Sequence, residues 1–444
     1  MMDISLSDHF NYKKLLRFTL PSMVMMVFTS IYSVVDGFFV SNFCHTTEFA
    51  AINLIMPFLI ILGAVGFMLG AGGSALVSKT LGEGDAKKAN EIFSLIVYVS
   101  IAVGLLLSAV GIIFMPTVAR LFGAEGILLE RAVVYGRIIL VALTAFILQM
   151  EFQSFFITAE KPQLGLAVTV ASGVTNMALD AILVGALGAG LEGAAIATAV
   201  SQCIGAVVPI VYFSRKNKSL LRLCRTKMDG AALLKTCTNG SSELMSNIAF
   251  SVVGILYNFQ LLKYEGESGV AAYGVLMYVG MIFNAIFIGY SIGVAPVVGY
   301  HYGAKNKREL HGLLRKSCVI IGIFSVCMLF AAFFLSTPMS KLFVGYDEYL
   351  FRLTARGFKI YSLSFLFMGF AIYLSSFFTA LNDGLTSALI SFLRTLVFQT
   401  AAVMLMPLIF GGIDGVWWSV VAAEVMAVTI SLIFVFAKRK KYGY

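Results

Sequence analysis

Twelve long apolar stretches account for most of this 444-residue chain. They lie near residues 14–40, 50–78, 91–116, 131–158, 164–185, 190–213, 238–263, 270–300, 316–336, 354–380, 384–410 and 414–437. A bilayer-crossing helix takes ~20 predominantly apolar residues, and most of these stretches are longer, which predicts tilted or bent spans. In hydrocarbon every backbone N–H and C=O has to be paired within its own segment, so the spans are expected to be α-helical. The short alternating segments of a β-barrel are absent. Composition agrees, with 59% of residues hydrophobic and 12% charged, about half the charged share of a soluble domain. That inventory excludes a soluble enzyme or a nucleic-acid-binding module. The chain reads as an all-α polytopic membrane protein.

The formal charge of +9 comes from short basic segments between the apolar runs. Lys13, Lys14 and Arg17 open the series, followed by Lys79, Lys87, Lys88 and Lys161, then by a dense run from Arg215 to Lys235. Lys305, Lys307, Arg308, Arg315 and Lys316 come next, and Lys438-Arg439-Lys440-Lys441 close the chain. All fall on alternate sides of the spans, as the positive-inside rule requires. The opposite face carries Glu48, Glu125, Glu192, Glu265, Glu267, Asp347 and Glu348. Both termini are therefore expected in the cytoplasm, with the protein in the inner or plasma membrane. The six cysteines show no CxxC spacing and read as small polarizable packing residues.

Six spans precede the basic run and six follow it, and the halves repeat at an offset of 221. Met56, Ile61, Ala64, Gly72, Val77 and Gly82 match Met277, Ile282, Ala285, Gly293, Val298 and Gly303. The last helices agree as well, Gly190-Leu191-Glu192-Gly193 against Gly412-Ile413-Asp414-Gly415. An even number of spans per repeat means that both halves enter from the same side, related by an axis along the membrane normal. The expected fold is twelve transmembrane helices in two pseudo-twofold-related six-helix lobes around a central cleft. The boundaries are 1–214 for the first lobe, 215–236 for a cytoplasmic basic linker and 237–444 for the second lobe.

Ionisable groups at membrane depth are costly and are functional candidates by default. Asp36 lies deep in span 1, within Tyr32-Ser33-Val34-Val35-Asp36-Gly37. Asn176 and Asp180 in span 5 are spaced i, i+4 and share one helix face. Thr198 in span 6 adds a hydroxyl. Two carboxylates, an amide and a hydroxyl form a hard oxygen set suited to Na⁺ or a proton rather than a transition metal. Gln149 and Gln153 share a face of span 4, with two readings open, cleft lining or interhelical hydrogen bonding. Glu243 sits near the cytoplasmic entry of span 7, either meeting a cationic substrate or lying at the interface. Arg394 in span 11 is expected to pair across the bundle or to reach a water-filled cavity.

Pro21-x14-Asp36-Gly37-x-Phe39-Val40 resembles the first helix of the multidrug and toxin extrusion (MATE) transporters. Gly72-Gly73-Ser74-Ala75 leading into Gly82-x-Gly84-Asp85, and Asn176-x3-Asp180, are similar to the same family. The likeness covers nearly the whole chain. It implies export of cationic, often aromatic small molecules in exchange for inward H⁺ or Na⁺, with no enzyme activity and no cofactor beyond the coupling ion. It also implies a cation site at Asp36, Asn176, Asp180 and Thr198, with Pro21 at a bend of span 1 and Tyr32 and Tyr135 as neighbours. Some family members carry an acid in span 10, whereas residues 357–380 here contain none, so the DinF/MepA-like branch fits better. A lipid-linked oligosaccharide flippase of similar plan is the alternative. It should line its cleft with several Arg or Lys to hold pyrophosphate, and Arg394 is the single mid-span basic residue. Membrane lipids and small molecules are the implied partners, and nothing in the sequence demands more than one chain.

Overall fold

The computed structural model describes residues 4–444. Among the described residues the regular structure is entirely helical. The first lobe holds α1 (Tyr12–Phe43), α2 (Thr46–Gly82), α3 (Ala86–Leu121), α4 (Gly126–Val141), α5 (Leu143–Thr158), α6 (Pro162–Leu179) and α7 (Gly190–Ser214). The second holds α8 (Gly230–Gly303), α9 (Lys307–Val344), α10 (Glu348–Ser362), α11 (Phe365–Ala380), α12 (Gly384–Phe392), α13 (Gln399–Phe410) and α14 (Gly412–Tyr442).

These elements make twelve crossings. The 74 residues of α8 would reach about 110 Å if straight, far more than one bilayer. The helix breaks at Gly266, whose φ of 61° and ψ of −145° are open to glycine alone. Span 4 is α4 and α5 meeting at 52°, and span 10 is α10 and α11 meeting at 49°. Span 5 is α6 prolonged by a π-helical turn, Asp180–Ala186, and span 11 joins α12 to α13 through a second π-helical segment, Leu393–Phe398.

The sequence repeat reappears in the backbone. The two bent spans fall at the same register of the two halves. Asp85 caps α3 by accepting from Lys88 N at 2.9 Å, and Asn306, its repeat mate, caps α9 by accepting from Glu309 N at 3.1 Å. The span 4–5 turn holds Glu160 at φ 59°, and the equivalent span 10–11 turn holds Asn382 at φ 57°.

The lobes meet through glycine. A Cβ on Gly82 would overlap the Tyr300 carbonyl, and one on its mate Gly303 would overlap the carbonyl of Lys79, the residue equivalent to Tyr300. Backbone thus lies on backbone around the pseudo-twofold axis. Gly72 fits against Thr236, Gly240 against the Met68 carbonyl, and Gly289 and Gly293 against Ser22, Met23 and Thr19 of α1. All these approaches lie toward the linker end of the helices, so the lobes close on that side. Farther along α1, residues 31–39 are exposed or half-exposed, whereas Thr19, Ser22 and Met23 are buried.

Each lobe has its own apolar interior. The linker half of the first lobe is centred on aromatic rings, Phe93 standing 4.8 Å from Phe155 and 5.1 Å from Phe213. The second lobe packs around Trp417 and Phe358, and its linker-side end is fastened by the C-terminus. There Asp383 accepts from Tyr442 Oη at 2.7 Å, Lys438 Nζ at 2.8 Å and Thr386 Oγ1 at 2.9 Å. Burial raises the Asp383 carboxyl, but the hydrogen bonds from Lys438, Tyr442 and Thr386 outweigh it and hold the group down at about 2.

Two outcomes are expected. Gly240→Ala should lower thermal stability in detergent by about 1–3 kcal/mol, the range for overpacking a tight contact, while Gly254→Ala, with nothing within 4 Å of the added methyl, should leave it unchanged. Asp383→Asn should lower the melting temperature at neutral pH. Because the native pKa is depressed, the wild-type advantage is present above about pH 4 and is lost as pH falls through about 2; melting curves across pH 7 to 2 read the convergence.

Candidate functional site: an acid pair in the first lobe

Span 1 and span 5 can approach closely because α6 offers Gly173 to them. The rings of Phe28 and Tyr32 lie over it, so that a Cβ there would come within 2.6 and 2.7 Å of them. One turn beyond Tyr32 on α1, Asp36 faces Asn176 and Asp180, with both of which its carboxyl is in contact. Asp180 begins the π-helical turn, where the backbone bonds i to i+5 and the helix widens. Asp180 is fully buried and Asn176 nearly so.

The chemistry of this cluster lies in what it lacks. Oδ1 of Asp36, both carboxyl oxygens of Asp180 and Oδ1 of Asn176 are buried with no hydrogen-bond partner among the described residues. Ionised carboxylates only accept, and a buried acceptor without a donor is expensive. Buried, unpartnered oxygens on residues that touch one another call for a positive centre, either a proton shared by the acids or a small hard cation. This donor set fits H⁺ or Na⁺.

The other residues singled out in the sequence take up different places. Tyr32 and Tyr135 stand within electrostatic reach of the acids, Tyr32 of Asp36 and Tyr135 of both Asp36 and Asp180. Thr198 is half-buried on α7; its carbonyl accepts from Ser201 Oγ at 2.8 Å, and its hydroxyl makes no hydrogen bond to either acid among the described residues. Pro21 is buried in α1, which runs unbroken from Tyr12 to Phe43 across it. Gln149 donates from Nε2 to Ser172 Oγ at 3.2 Å, Ser172 in turn donates to the Ser201 carbonyl at 2.6 Å, and the Gln149 side chain sits over Gly205. Gln149 is therefore an interhelical tie between α5, α6 and α7. Together with Gln153 it lines a small cavity of about 10 Å³ among those helices.

Arg394 does pair across the bundle. Its Nε and Nη2 grip both oxygens of Glu424 on α14 at 3.0–3.2 Å, a bidentate geometry. Glu243, half-buried on α8, lies within electrostatic reach of the same guanidinium. Glu424 was not singled out in the sequence, although it is the one ionisable residue between Asp414 and Lys438 and an arginine at the same depth needs a partner. Glu151 lies between the two glutamines in the sequence, on another face of α5. It is fully buried against Gly70 of α2 and near Ser100 of α3, with neither carboxyl oxygen in hydrogen-bonding geometry with a partner among the described residues.

Two six-helix lobes closed on one side, with a contacting acid pair inside the first, give a membrane protein of the two-lobe transporter kind. The MatE family model matches residues 21–182 and 244–404, one block in each lobe, and the chain belongs to that family. Over 432 residues it is 26% identical to the multidrug export protein MepA of Staphylococcus haemolyticus strain JCSC1435 and 25% identical to MepA of Staphylococcus aureus strain MRSA252, covering 97% of this chain and 94% of each relative. Among solved structures, a MATE in complex with MaL6 superposes with a TM-score of 0.94 and an outward-facing multidrug resistance MATE transporter of the MOP superfamily with 0.93. Both are 20% identical, and each match covers 100% of this chain and 99% of the other.

Removing Arg394 should be far more damaging than its partial exposure suggests, because Glu424 would be left buried and uncompensated. Arg394→Met is expected to cost about 3–5 kcal/mol. The double variant Arg394→Met/Glu424→Met should recover most of that loss, as read by thermal melting of the two purified proteins.

Proposed function

We propose that this protein is a secondary active exporter of the plasma membrane that expels cationic, aromatic small molecules in exchange for H⁺ or Na⁺ by alternating access. The observation that carries the reading is the contact between Asp36 and Asp180, with Oδ1 of Asp36 and both carboxyl oxygens of Asp180 buried and without a hydrogen-bond partner among the described residues. The substrate class is supported by the MepA relatives, whose name describes multidrug export. The basic segments named above lie at the linker end, which supports placing that end and both termini in the cytoplasm. The cleft then faces outward.

In the proposed cycle Asp36, Asp180 and Asn176 hold the incoming cation, with Thr198 one turn of α7 away from Ser201 as a further oxygen. Two facing carboxylates repel unless a positive charge sits between them, so occupancy pulls α1 toward α6. Pro21 removes one rung of the α1 hydrogen-bond ladder and makes that point the easiest place for the helix to bend. Cation entry releases ~2.3 kcal/mol per charge per 100 mV, which is available to lift substrate outward. Coupling requires that cation and substrate favour different conformations of the first lobe. A pyrophosphate-carrying flippase is disfavoured because the single mid-span arginine, Arg394, is already neutralised by Glu424.

Ethidium efflux from cells tests the assignment. Asp36→Asn and Asp180→Asn should each reduce efflux to the level of cells lacking the protein, with surface expression unchanged. Efflux at the wild-type rate from both variants would remove the acids from the mechanism. In proteoliposomes, ΔpH and ΔNa⁺ imposed separately identify the coupling ion.

A further inference from the structure

The segment joining the lobes is strapped to the first lobe. Ser94 Oγ accepts from Cys224 N at 2.9 Å, Asn90 Oδ1 accepts from Arg222 N at 2.5 Å, and Tyr98 donates from its hydroxyl to the Cys224 carbonyl at 3.3 Å. Leu221 is fully buried beneath the strap. These bonds lay the linker across the first turns of α3. A cavity of about 700 Å³ remains between the two, a size typical of a ligand pocket.

The cavity has two kinds of wall. Ile92 and Leu95, both buried, form an apolar floor, and Lys87, Lys88, Arg225 and Lys227 stand around it. Three acids also border it. Asp85 gives an oxygen to Lys88 N as the cap of α3, and Asp229 gives one to Ala232 N as the cap of α8. Glu91 is the third and caps no helix. Four cations and three carboxylates thus border the cavity, a surplus of one positive charge, and two of the carboxylates are tied to helix caps.

Its depth in the membrane follows from α3. Lys87 and Lys88 occupy the first turn, and the apolar span begins at Ile92. Met228 on the rim is 77% exposed, and Tyr98, where the strap is pinned, is 44% exposed. Met228 left open beside Lys227, and Tyr98 left open where it holds Cys224 next to Arg225, mark the level at which headgroups give way to acyl chains. We propose that this cavity binds the phosphate of an anionic phospholipid headgroup, with Lys87, Lys88, Arg225 and Lys227 as its cationic partners and Ile92, Leu95 and Met228 against its glycerol and first acyl carbons. Inorganic phosphate would gain nothing from the apolar floor. A bound lipid clamps the linker between α3 and the bilayer and so ties the hinge between the lobes to the composition of the surrounding leaflet.

Native mass spectrometry of the purified full-length protein tests this, with phosphatidylglycerol and phosphatidylcholine of matched acyl chains supplied at equal concentration. The cavity variant is Lys87→Gln/Lys88→Gln/Arg225→Gln/Lys227→Gln. The control, Lys216→Gln/Lys218→Gln/Lys440→Gln/Lys441→Gln, removes as many charges from the same face. Wild type and control should retain phosphatidylglycerol over phosphatidylcholine by about tenfold or more, and the cavity variant should retain both equally. An undiminished preference in the cavity variant overturns the site. An equal loss in the control overturns it too, by reducing the effect to overall charge. Displacement of the lipid by millimolar inorganic phosphate overturns the lipid assignment in favour of a free anion. If the quadruple variant does not fold, Arg225→Gln/Lys227→Gln, confined to the non-helical linker, should lower the preference by itself, and an unchanged preference there counts against the site.

Discussion

The whole arrangement rests on backbone touching backbone at the linker end of the pseudo-twofold axis. Gly82 and Gly303 each seat the other helix's main chain where any side chain would intrude, and they do so reciprocally, because Lys79 and Tyr300 occupy equivalent places in the two repeats. Membrane helices gain nothing from hydrophobic exclusion between themselves, so close approach through small residues is what holds them. A contact of this type is flat and free of interlocking side chains, which suits two bodies that must part and rejoin. It also fixes which end of the two lobes is held together: α2 and α8 meet backbone to backbone at the linker side.

The two lobes deal with buried acids in opposite ways. In the second, Glu424 is gripped by Arg394 through a bidentate pair, a closed electrostatic account that leaves little for a visiting ion. In the first, Asp36 and Asp180 face one another with no cation of the protein's own. Each solution suits a different task. A carboxylate already paired is a structural element whose removal costs stability, whereas a carboxylate awaiting a positive charge is a binding site whose occupancy alters the structure around it. The repeat is thus symmetric in backbone and asymmetric in charge. Coupling through the first lobe is the proposal that this asymmetry supports.

Much of this was legible in the sequence because lipid imposes few solutions. Long apolar runs had to be helices, the 221-residue repeat had to appear as two lobes, and acids within those runs had to be explained. The partner of Arg394 was harder to see, since Glu424 lies 30 positions away on another helix and nothing local announces the pairing. The bends in spans 4 and 10 also escaped notice. Neither contains proline at the break; Ala142 and the Leu363–Ser364 pair carry no signal of their own, and only their equivalent positions in the repeat tie them together. The glutamines on α5 show a further limit. Their i, i+4 spacing gave a shared face correctly, but which neighbour that face meets, cleft or helix, depends on the rotation of α5, and the bond from Gln149 to Ser172 follows from that rotation.

The route from the acid pair to the closed end is short and runs through a single helix. Asp36 and Pro21 are about 22 Å apart along α1. On the two sides of Pro21, Ser22 and Met23 press against Gly289, and Thr19 and Ser22 against Gly293. A bend at Pro21 cannot leave those contacts in place, because the glycines of α8 accept the present backbone path of α1 and have no side chains with which to follow another. Under the proposed mechanism, filling the site at Asp36 therefore acts on α8, and through α8 on the same linker-side seam that Gly82 and Gly303 maintain. Coupling of this kind needs no chain of ion pairs across the cleft. It needs one helix with a weak point, a charged group at one end of it and a smooth glycine surface at the other, and α1 together with α8 supplies all three.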